Sequence, residues 1–359
     1  MGFVRYNDLP FHIEQSQWEF VDDINDADVV PIIKAPFEYG PPSYITASLD
    51  QQVDYLKKVA KGKCILVMLH THVSETQGPN VTDMFVDPFK EVSDKVYQVT
   101  INHKIQHPNH IYYDFCLNMV KAYFLNYPDY DLQHDRQWTM NSTSKSFELR
   151  SIKELNPTRK FLVPNNVRLH TGEYKEHARA QLRMITSDDE CYFSDFQRRI
   201  FLDPEESHLT NCYSSDGAGF IPIANKYYED TIVSVYVETI GGSNKQKNQV
   251  GAVTEKTFIS LLKGHFILPF SAVGFIDYLK TYYGFRFPEW IDYSYDSIDN
   301  DGDRLKAYLR VVKDLKKIPL DSLTRMANND IEIRKFNRKV IATFLYDSLH
   351  DKVKERINK

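Results

Sequence analysis

Short, continuous apolar runs alternate with helical periodicity in the first third of the chain. DVVPIIKAPF from Asp28 and CILVMLHTH from Cys64 are two such runs, and residues 49–61 between them place apolar side chains at helical spacing. Apolar strands that alternate with helices are typical of a parallel sheet covered on both faces. Residues 96–101 predict another strand, and 110–115 predict a strand or a strand that leads into a helix.

The same alternation starts again after a polar segment. Residues 128–146 are rich in Asp, Asn, Ser and Thr, which predicts a loop and a domain boundary. Beyond it the pattern predicts strands at 159–166, 231–239 and 265–270. It predicts helices over 173–185, from Thr254 to Gly264, from 273 to Gly284, and from about Asp303 onward with breaks at Pro319 and near Asn328. The chain is therefore predicted to form two α/β halves followed by helices.

Composition and charge narrow the class of protein. The 359 residues are 42% hydrophobic and 26% charged, which excludes a disordered chain. No apolar run is long enough to span a membrane, and the first residues lack the basic and apolar regions of a signal peptide. Four widely spaced cysteines favour reduced thiols. We therefore expect a cytoplasmic protein.

Charge is unevenly distributed. The net charge is −5, yet residues 304–359 hold 15 Lys and Arg against 7 Asp and Glu. Such a basic C-terminal region is a candidate contact for nucleic-acid phosphates, and solvated helix faces are the alternative interpretation.

Candidate chemistry concentrates between residues 231 and 304. A strand ends at Glu238, and Thr254-Glu255-Lys256-Thr257 begins a helix. A helix N-terminus favours phosphate, Lys256 adds a positive charge, and Glu255 offers an acceptor for sugar hydroxyls. This combination suits a nucleotide sugar. Alternatively, the four residues are only an N-cap followed by an acidic first turn.

The ordered motifs of this region resemble the donor-binding domain of GT-B-type glycosyltransferases, including fucosyltransferase-like and exostosin-like enzymes and transferases of tailed bacteriophages. The motifs are Val237-Glu238-Thr239, Thr254-Glu255-Lys256-Thr257-Phe258, the apolar strand with Pro269, Gly274-Phe275 and Tyr295-Asp296. The resemblance implies an α/β fold of the GT-B type, with two Rossmann-like domains facing a cleft. It implies an acceptor-side domain at 1–150, a nucleotide-sugar domain at 151–318, and helices at 319–359 that pack back on the first domain.

The resemblance also implies roles for individual residues. Glu255 would bind ribose or sugar hydroxyls, Lys256 the diphosphate, and Thr254 and Thr257 would make the hydrogen bonds of the helix start. Arg168, after the first strand of the second domain, would face the diphosphate. Glu238 would bind or polarise the donor. The expected donor is a UDP-sugar, with no further cofactor.

An inverting transferase needs a base in the first domain, and such groups lie at the carboxyl ends of strands. Asp114 is the first candidate, followed by Glu75 and His72. A helix-capping or surface carboxylate is the alternative for Asp114. His70 and His72, even with the histidines at 103, 107 and 110, lack the carboxylates or cysteines of a metal centre, so no metal is expected.

The acceptor stays open between two classes. The resemblance to phage enzymes suggests a hydroxylated pyrimidine in DNA, contacted by the basic C-terminal region and by Lys245 and Lys247, in the host cytoplasm. The alternative is a surface polysaccharide or another glycan, with Tyr and Phe side chains as sugar platforms. A protein that binds a ligand without catalysis is a third hypothesis. Oligomeric state is not predicted.

Overall fold

The computed structural model describes residues 2–4, 18–21, 23–34, 49–69, 81–114, 116–118, 120–121, 149–165, 173–195, 225–238, 252–344 and 348–358. The fold and the site are those of these residues.

The first half of the chain forms a parallel six-stranded sheet. Its strands are β1 (Gly2–Val4), β2 (Glu19–Val21), β3 (Val29–Lys34), β4 (Cys64–Leu69), β5 (Val96–Thr100) and β6 (His110–Tyr112), in the order β2-β1-β3-β4-β5-β6. Helices α1 (Leu49–Val59) and α2 (Val81–Val86) connect β3 to β4 and β4 to β5. Strands β3, β4 and β5 each pair with a strand on both sides, and most of their described side chains are apolar and buried, so they form the centre of this sheet.

The second half forms a parallel four-stranded sheet. Its strands are β7 (Phe161–Asn165), β8 (Cys191–Asp195), β9 (Val233–Val237) and β10 (Phe266–Phe270), in the order β10-β9-β7-β8. Its helices are α3 (Glu173–Ile185), α4 (Asn225–Glu229), α5 (Glu255–Leu262) and α6 (Phe275–Tyr278).

Four helices follow the second sheet: α7 (Asp301–Lys317), α8 (Leu320–Asn329), α9 (Ile331–Thr343) and α10 (Leu349–Ile357). Leu305 and Tyr308 of α7 and Leu323 of α8 belong to the core of the second sheet. Leu349 and Val353 of α10 instead join the core of the first sheet. The last helix of the chain therefore lies against the first half.

The predicted α/β class, with two parallel sheets and C-terminal helices, is confirmed. The predicted strands and helices are also observed, with ends that shift by a few residues. The pattern missed β1, β2 and β8, because these strands are short and CYFSD in β8 has no continuous apolar run. The predicted loop over 128–146 lies outside the described residues.

The Gly-Phe and Tyr-Asp motifs have a structural explanation. The carboxylate of Asp296 accepts hydrogen bonds from the backbone N–H groups of Ile276 and Asp277, at 3.0 and 3.3 Å. It thereby satisfies donors at the start of α6, which have no acceptor within the helix. The helix continues as a π-turn and ends at Gly284, whose φ of 78° favours glycine.

Within the described part of the chain, no helix combines the length and the apolar character that crossing a membrane requires.

Candidate functional site

The loops at the carboxyl ends of both sheets contact each other. Lys104, after β5, donates from Nζ to the carbonyl of Val273, after β10, at 2.7 Å. The hydroxyls of Tyr112, the last residue of β6, and Tyr283, beyond α6, are 3.0 Å apart. In open parallel sheets, ligands bind outside the carboxyl ends of the strands. The junction of the two carboxyl edges is therefore the candidate site, which we name the carboxyl-edge site.

Glu238 supports the second-sheet side of this site. It directly follows β9 and is fully buried. Its carboxylate accepts from the Thr254 N–H at 3.2 Å, the Thr254 hydroxyl at 2.5 Å and the Thr257 hydroxyl at 2.7 Å. A buried carboxylate is tolerated only when hydrogen bonds and a cation compensate its lost hydration. Glu238 therefore fixes the start of α5 to the end of β9.

Lys256 supplies the compensating cation. Its Nζ lies 3.6 Å from a carboxylate oxygen of Glu238 and 3.6 Å from one of Glu255, and it donates to the Thr254 hydroxyl at 3.0 Å. The Lys256 side chain is only 7% exposed, whereas that of Glu255 is 25% exposed. Of these groups, Glu255 is therefore the one that faces solvent.

The threonines act differently from the expectation for a helix start. Thr254 occupies the N-cap position of α5, but its hydroxyl accepts no hydrogen bond from the helix backbone. It donates to Glu238 instead, as the Thr257 hydroxyl does. The expected capping bond is wrong for Thr254, because its hydroxyl is turned towards Glu238 and accepts its hydrogen bond from the ammonium of Lys256.

Asp114 lies two residues beyond β6 and is 3% exposed. One carboxylate oxygen accepts from the Leu117 N–H at 3.3 Å, and the other accepts from the Tyr283 hydroxyl. The helix-capping alternative is therefore confirmed for the first oxygen. Burial raises the pKa of Asp114 to about 6, while the hydrogen bonds from Tyr283 and Leu117 act in the opposite direction. Its role as a base stays a prediction.

Cys116 connects the segment after β6 to helix α5. Burial raises the pKa of its thiol, and the negative charges of Glu255, Asp114 and Glu238 raise the pKa further. The same cysteine packs with Phe258 of α5 in one apolar cluster. The segment after β6 and helix α5 therefore share a core.

Aromatic rings form one edge of the site. His103 stacks on Tyr278 with a centroid distance of 3.4 Å, and Tyr278 stacks on Tyr282 at 5.0 Å. Tyr282 is 37% exposed. The stack thus runs from the loop after β5 to a partly exposed tyrosine, beside which a sugar ring or a base is able to pack.

Three residues singled out by the sequence, Glu75, His72 and Arg168, lie outside the described residues, and so does His70. The remaining histidines of the first half have separate contacts. His107 lies 3.2 Å from a carboxylate oxygen of Asp83, and His110 is 2.9 Å from the Thr100 hydroxyl. In the described ranges, no group of three or more His, Cys, Asp or Glu side chains is arranged to hold a metal ion.

The basic C-terminal region is partly used inside the fold. Arg304 is buried and bonds the carbonyls of Ser271 and Ile298 at 3.1 and 2.7 Å. Arg334 and Arg338 likewise donate to the carbonyls of Gly264 and Leu262, at 2.6 and 2.7 Å. Part of the positive charge therefore stabilises loops and helix ends. Lys245 and Lys247 lie outside the described residues.

Sequence reasoning missed the pairing of Asp114 with Tyr283 and the contact of Lys104 with Val273. Both join residues more than 160 positions apart. No local pattern reports such a contact, because it depends on how the two sheets pack.

No protein-family model and no curated protein matches the chain. Among solved structures it is similar to an α1,3-fucosyltransferase with GDP-fucose, at 10% identity and a TM-score of 0.39, covering 96% of this chain and 90% of that one. The α1,3-fucosyltransferase structure with GDP gives 10% identity, coverages of 98% and 92% and a TM-score of 0.39. A variant of S. aureus TarM, in complex with fondaparinux, alpha-GlcNAc-glycerol and UDP, gives 11%, coverages of 86% and 58% and 0.30. At these scores the likeness carries no argument about activity, which has to be argued from the site.

Proposed function

We propose that this chain is a glycosyltransferase of the GT-B type, which transfers a sugar from a nucleotide-sugar donor to a hydroxyl of an acceptor. The observation that carries the proposal is the junction of two parallel sheets at their carboxyl edges. There Glu255, at the start of α5, faces solvent, and Asp114 of the first half is hydrogen-bonded to Tyr283 of the second. A donor in the second half and an acceptor in the first meet at such a junction.

The donor is proposed to bind at the start of α5. Glu255 accepts hydrogen bonds from ribose or sugar hydroxyls, and the first N–H groups of the helix face the diphosphate. Glu238, Thr254 and Thr257 hold that helix start in place. The charge of Lys256 is already partly compensated by Glu238. We therefore propose Arg168 as a second cation for the diphosphate. A UDP-sugar is the first donor to test, with GDP-sugars beside it.

The chemistry needs a base for the acceptor proton. As the acceptor oxygen forms its bond to the anomeric carbon, the bond from that carbon to the diphosphate breaks. The nucleoside diphosphate leaves with the electron pair, and the acceptor proton goes to the base. With a pKa of about 6, Asp114 is mainly a carboxylate at pH 7 and able to take that proton. The hydroxyls of Tyr283 and Tyr112 form a hydrogen-bonded path towards it. Glu75 and His72 stay the alternative bases.

The acceptor is proposed to be a glycan hydroxyl in preference to a pyrimidine base in DNA. The arginines of the C-terminal region that bond backbone carbonyls are less available for phosphates. The partly exposed ring of Tyr282, stacked on Tyr278, is of the kind that sugar rings pack against. A DNA acceptor predicts duplex binding that weakens steeply with salt, whereas a glycan acceptor predicts indifference to DNA.

The test is release of nucleoside diphosphate from a panel of UDP- and GDP-sugars, first in water and then with glycan and DNA acceptors. A transferase releases the nucleoside diphosphate slowly without acceptor and faster with the correct one. Binding of a nucleotide sugar without any release would favour a non-catalytic binding protein. The proposal would be contradicted if no donor of the panel bound and none released a nucleoside diphosphate.

A further inference from the structure

A cavity lies at the opposite edge of the first sheet from the carboxyl-edge site. It has a volume of about 560 Å³ and is lined by residues just before β3, at the start of β4 and just before β5, with α10 as one wall. Among the lining residues are Asp28, Lys61, Lys63, Lys95, His350 and Lys354. We name it the amino-edge cavity. Because a strand of six residues spans about 20 Å, this cavity is separate from the carboxyl edge.

Positive charge dominates this lining. Four lysines, Lys61, Lys63, Lys95 and Lys354, contribute to it, against one carboxylate, that of Asp28. Among the residues the structure describes, no carboxylate forms an ion pair with any of the four ammonium groups. Four lysines against one carboxylate in the lining attract an anion, and the concave wall strengthens the attraction because it limits access of water.

The fold holds one of these lysines in place. Lys63 donates to the backbone carbonyls of Asn25 and Ala27, at 2.7 and 2.6 Å, which fixes its Nζ at the start of β4. An ammonium has three hydrogens, so one remains for a ligand. Because the Lys63 side chain is already held in place, less conformational entropy is lost when it binds a ligand than for a lysine that has to be ordered on binding.

Helix α10 forms one wall of the cavity. Leu349 and Val353 anchor α10 in the core of the first sheet, and Trp18 packs edge-on against His350 at 4.9 Å. This packing brings Lys354, in the second half of α10, to the same cavity as Lys95. One lysine of the last helix, Lys354, is thus placed at the cavity, whereas Lys352 of the same helix donates to the carbonyl of Tyr112 at the other edge of the sheet.

We propose that the amino-edge cavity is a second binding site, which takes a compact ligand bearing a phosphate or diphosphate group. Its volume lies in the range of small-molecule sites, and several lysines around one anion match the multiple oxygens of a phosphate. The site is independent of the proposed donor site, because no residue of the carboxyl-edge site lines it.

The test uses inorganic pyrophosphate and site-resolved lysine acetylation read by mass spectrometry. At ten times the dissociation constant, the unoccupied fraction falls about tenfold, so acetylation of Lys95 and Lys354 is expected to slow about tenfold. Lys306 and Lys317 are exposed on α7, far along the chain from this cavity, and serve as internal controls. Equal protection of all exposed lysines, or no protection of Lys95 and Lys354, would overturn the proposal.

Variants separate this site from the donor site. Calorimetric titration with pyrophosphate is expected to lose the amino-edge binding event in the double variant Lys95→Ala and Lys354→Ala, and to keep it in Glu255→Ala and Lys306→Ala. Lys61→Glu, at an exposed turn, gives the same test with a single change where the double variant fails to fold. Unchanged titration in Lys61→Glu and the double variant, or binding of a duplex oligonucleotide with none of pyrophosphate, would contradict the proposal.

Discussion

The hydroxyl of Tyr283 donates a hydrogen bond to the carboxylate of Asp114, 169 positions earlier in the chain. The bond joins the end of β6 in the first sheet to the turn that ends the α6 region in the second half. Both side chains are buried, at 3% exposure each. The pair therefore couples the position of the proposed base to the proposed donor-binding half.

The first prediction concerns the protonation of Asp114. Its pKa is raised from 3.8 to about 6, so the native state binds a proton more tightly than the unfolded chain does. The contribution of Asp114 to stability is therefore present below pH 4 and lost as the pH rises through about 6. The variant Asp114→Asn has no carboxyl group to ionise, so it does not lose stability in this way as the pH rises. We expect the variant to gain about 3 kcal/mol relative to the wild type between pH 4 and 7. Urea unfolding across that range measures it, and a constant difference between the two proteins would contradict the raised pKa.

Removal of the Tyr283 hydroxyl tests the bond itself. Tyr283→Phe leaves the Asp114 carboxylate with one protein donor fewer in a buried place, so we expect a loss of about 1–3 kcal/mol at pH 7. Tyr282→Phe, which keeps an exposed ring in the same turn, is the matched control and should change stability little. Chemical unfolding compares the two. Equal effects of both substitutions would mean that the bond to Asp114 contributes nothing.

Glu238 is expected to be a structural requirement of the helix start. Glu238→Gln leaves the buried ammonium of Lys256 with only Glu255 as a counter-charge and replaces an acceptor of three bonds. A loss of about 3 kcal/mol is predicted from the cost of a buried charge that lacks its partner. Glu91→Gln, at an exposed pair with Lys57, is the control and should have little effect. Thermal and urea unfolding measure this loss. If Glu238→Gln were as stable as the wild type, Glu238 would not be a structural requirement of the helix start.

His265 predicts a second pH dependence, of opposite sign. Its ring is buried between the Ser234 hydroxyl, at 2.9 Å, and the carbonyl of Tyr228, and burial lowers its pKa to about 3. In the unfolded chain His265 binds a proton below about pH 6.5, whereas in the native state it stays neutral until about pH 3. The free energy of unfolding therefore decreases as the pH falls from 6.5 towards 3. His265→Gln should be less stable at pH 7 but lose less stability on acidification.

The control for that experiment is His177→Gln, at an exposed position of α3, which should keep the acid sensitivity of the wild type. If His265→Gln and the wild type lose stability in parallel between pH 6.5 and 4, the buried neutral state of His265 is not the cause.

The apolar pattern predicted most of the fold because it reports burial directly. The runs around Val29, Cys64, Val96 and Phe266 are strands buried on both faces, and such runs are visible in sequence. The phenylalanines of the second half, such as Phe258 and Phe270, are likewise core residues. Helix ends at Gly264 and Gly284 follow from positive φ angles, which glycine adopts without strain.

The sequence places Glu238 at the end of a strand and Thr254 to Thr257 at the start of a helix, but a linear pattern does not tell which carboxylate faces solvent. The structure turns Glu238 inward and leaves Glu255 at the surface, because Lys256 and two threonine hydroxyls compensate only a carboxylate placed beneath the helix. The pairing of Asp114 with Tyr283 depends on the packing of two sheets, which no local pattern contains.

The central claim is that a nucleotide sugar binds at the start of α5 through Glu255, and calorimetric titration with a panel of UDP- and GDP-sugars tests it most directly. We predict one binding event in the wild type and a loss of about tenfold or more in affinity for Glu255→Ala, since a hydrogen bond to a charged group contributes about 1.5–3 kcal/mol. Glu332→Ala, also an exposed first-turn glutamate, should bind like the wild type. Absence of binding for every nucleotide sugar, or equal affinity in Glu255→Ala and the wild type, would contradict the account.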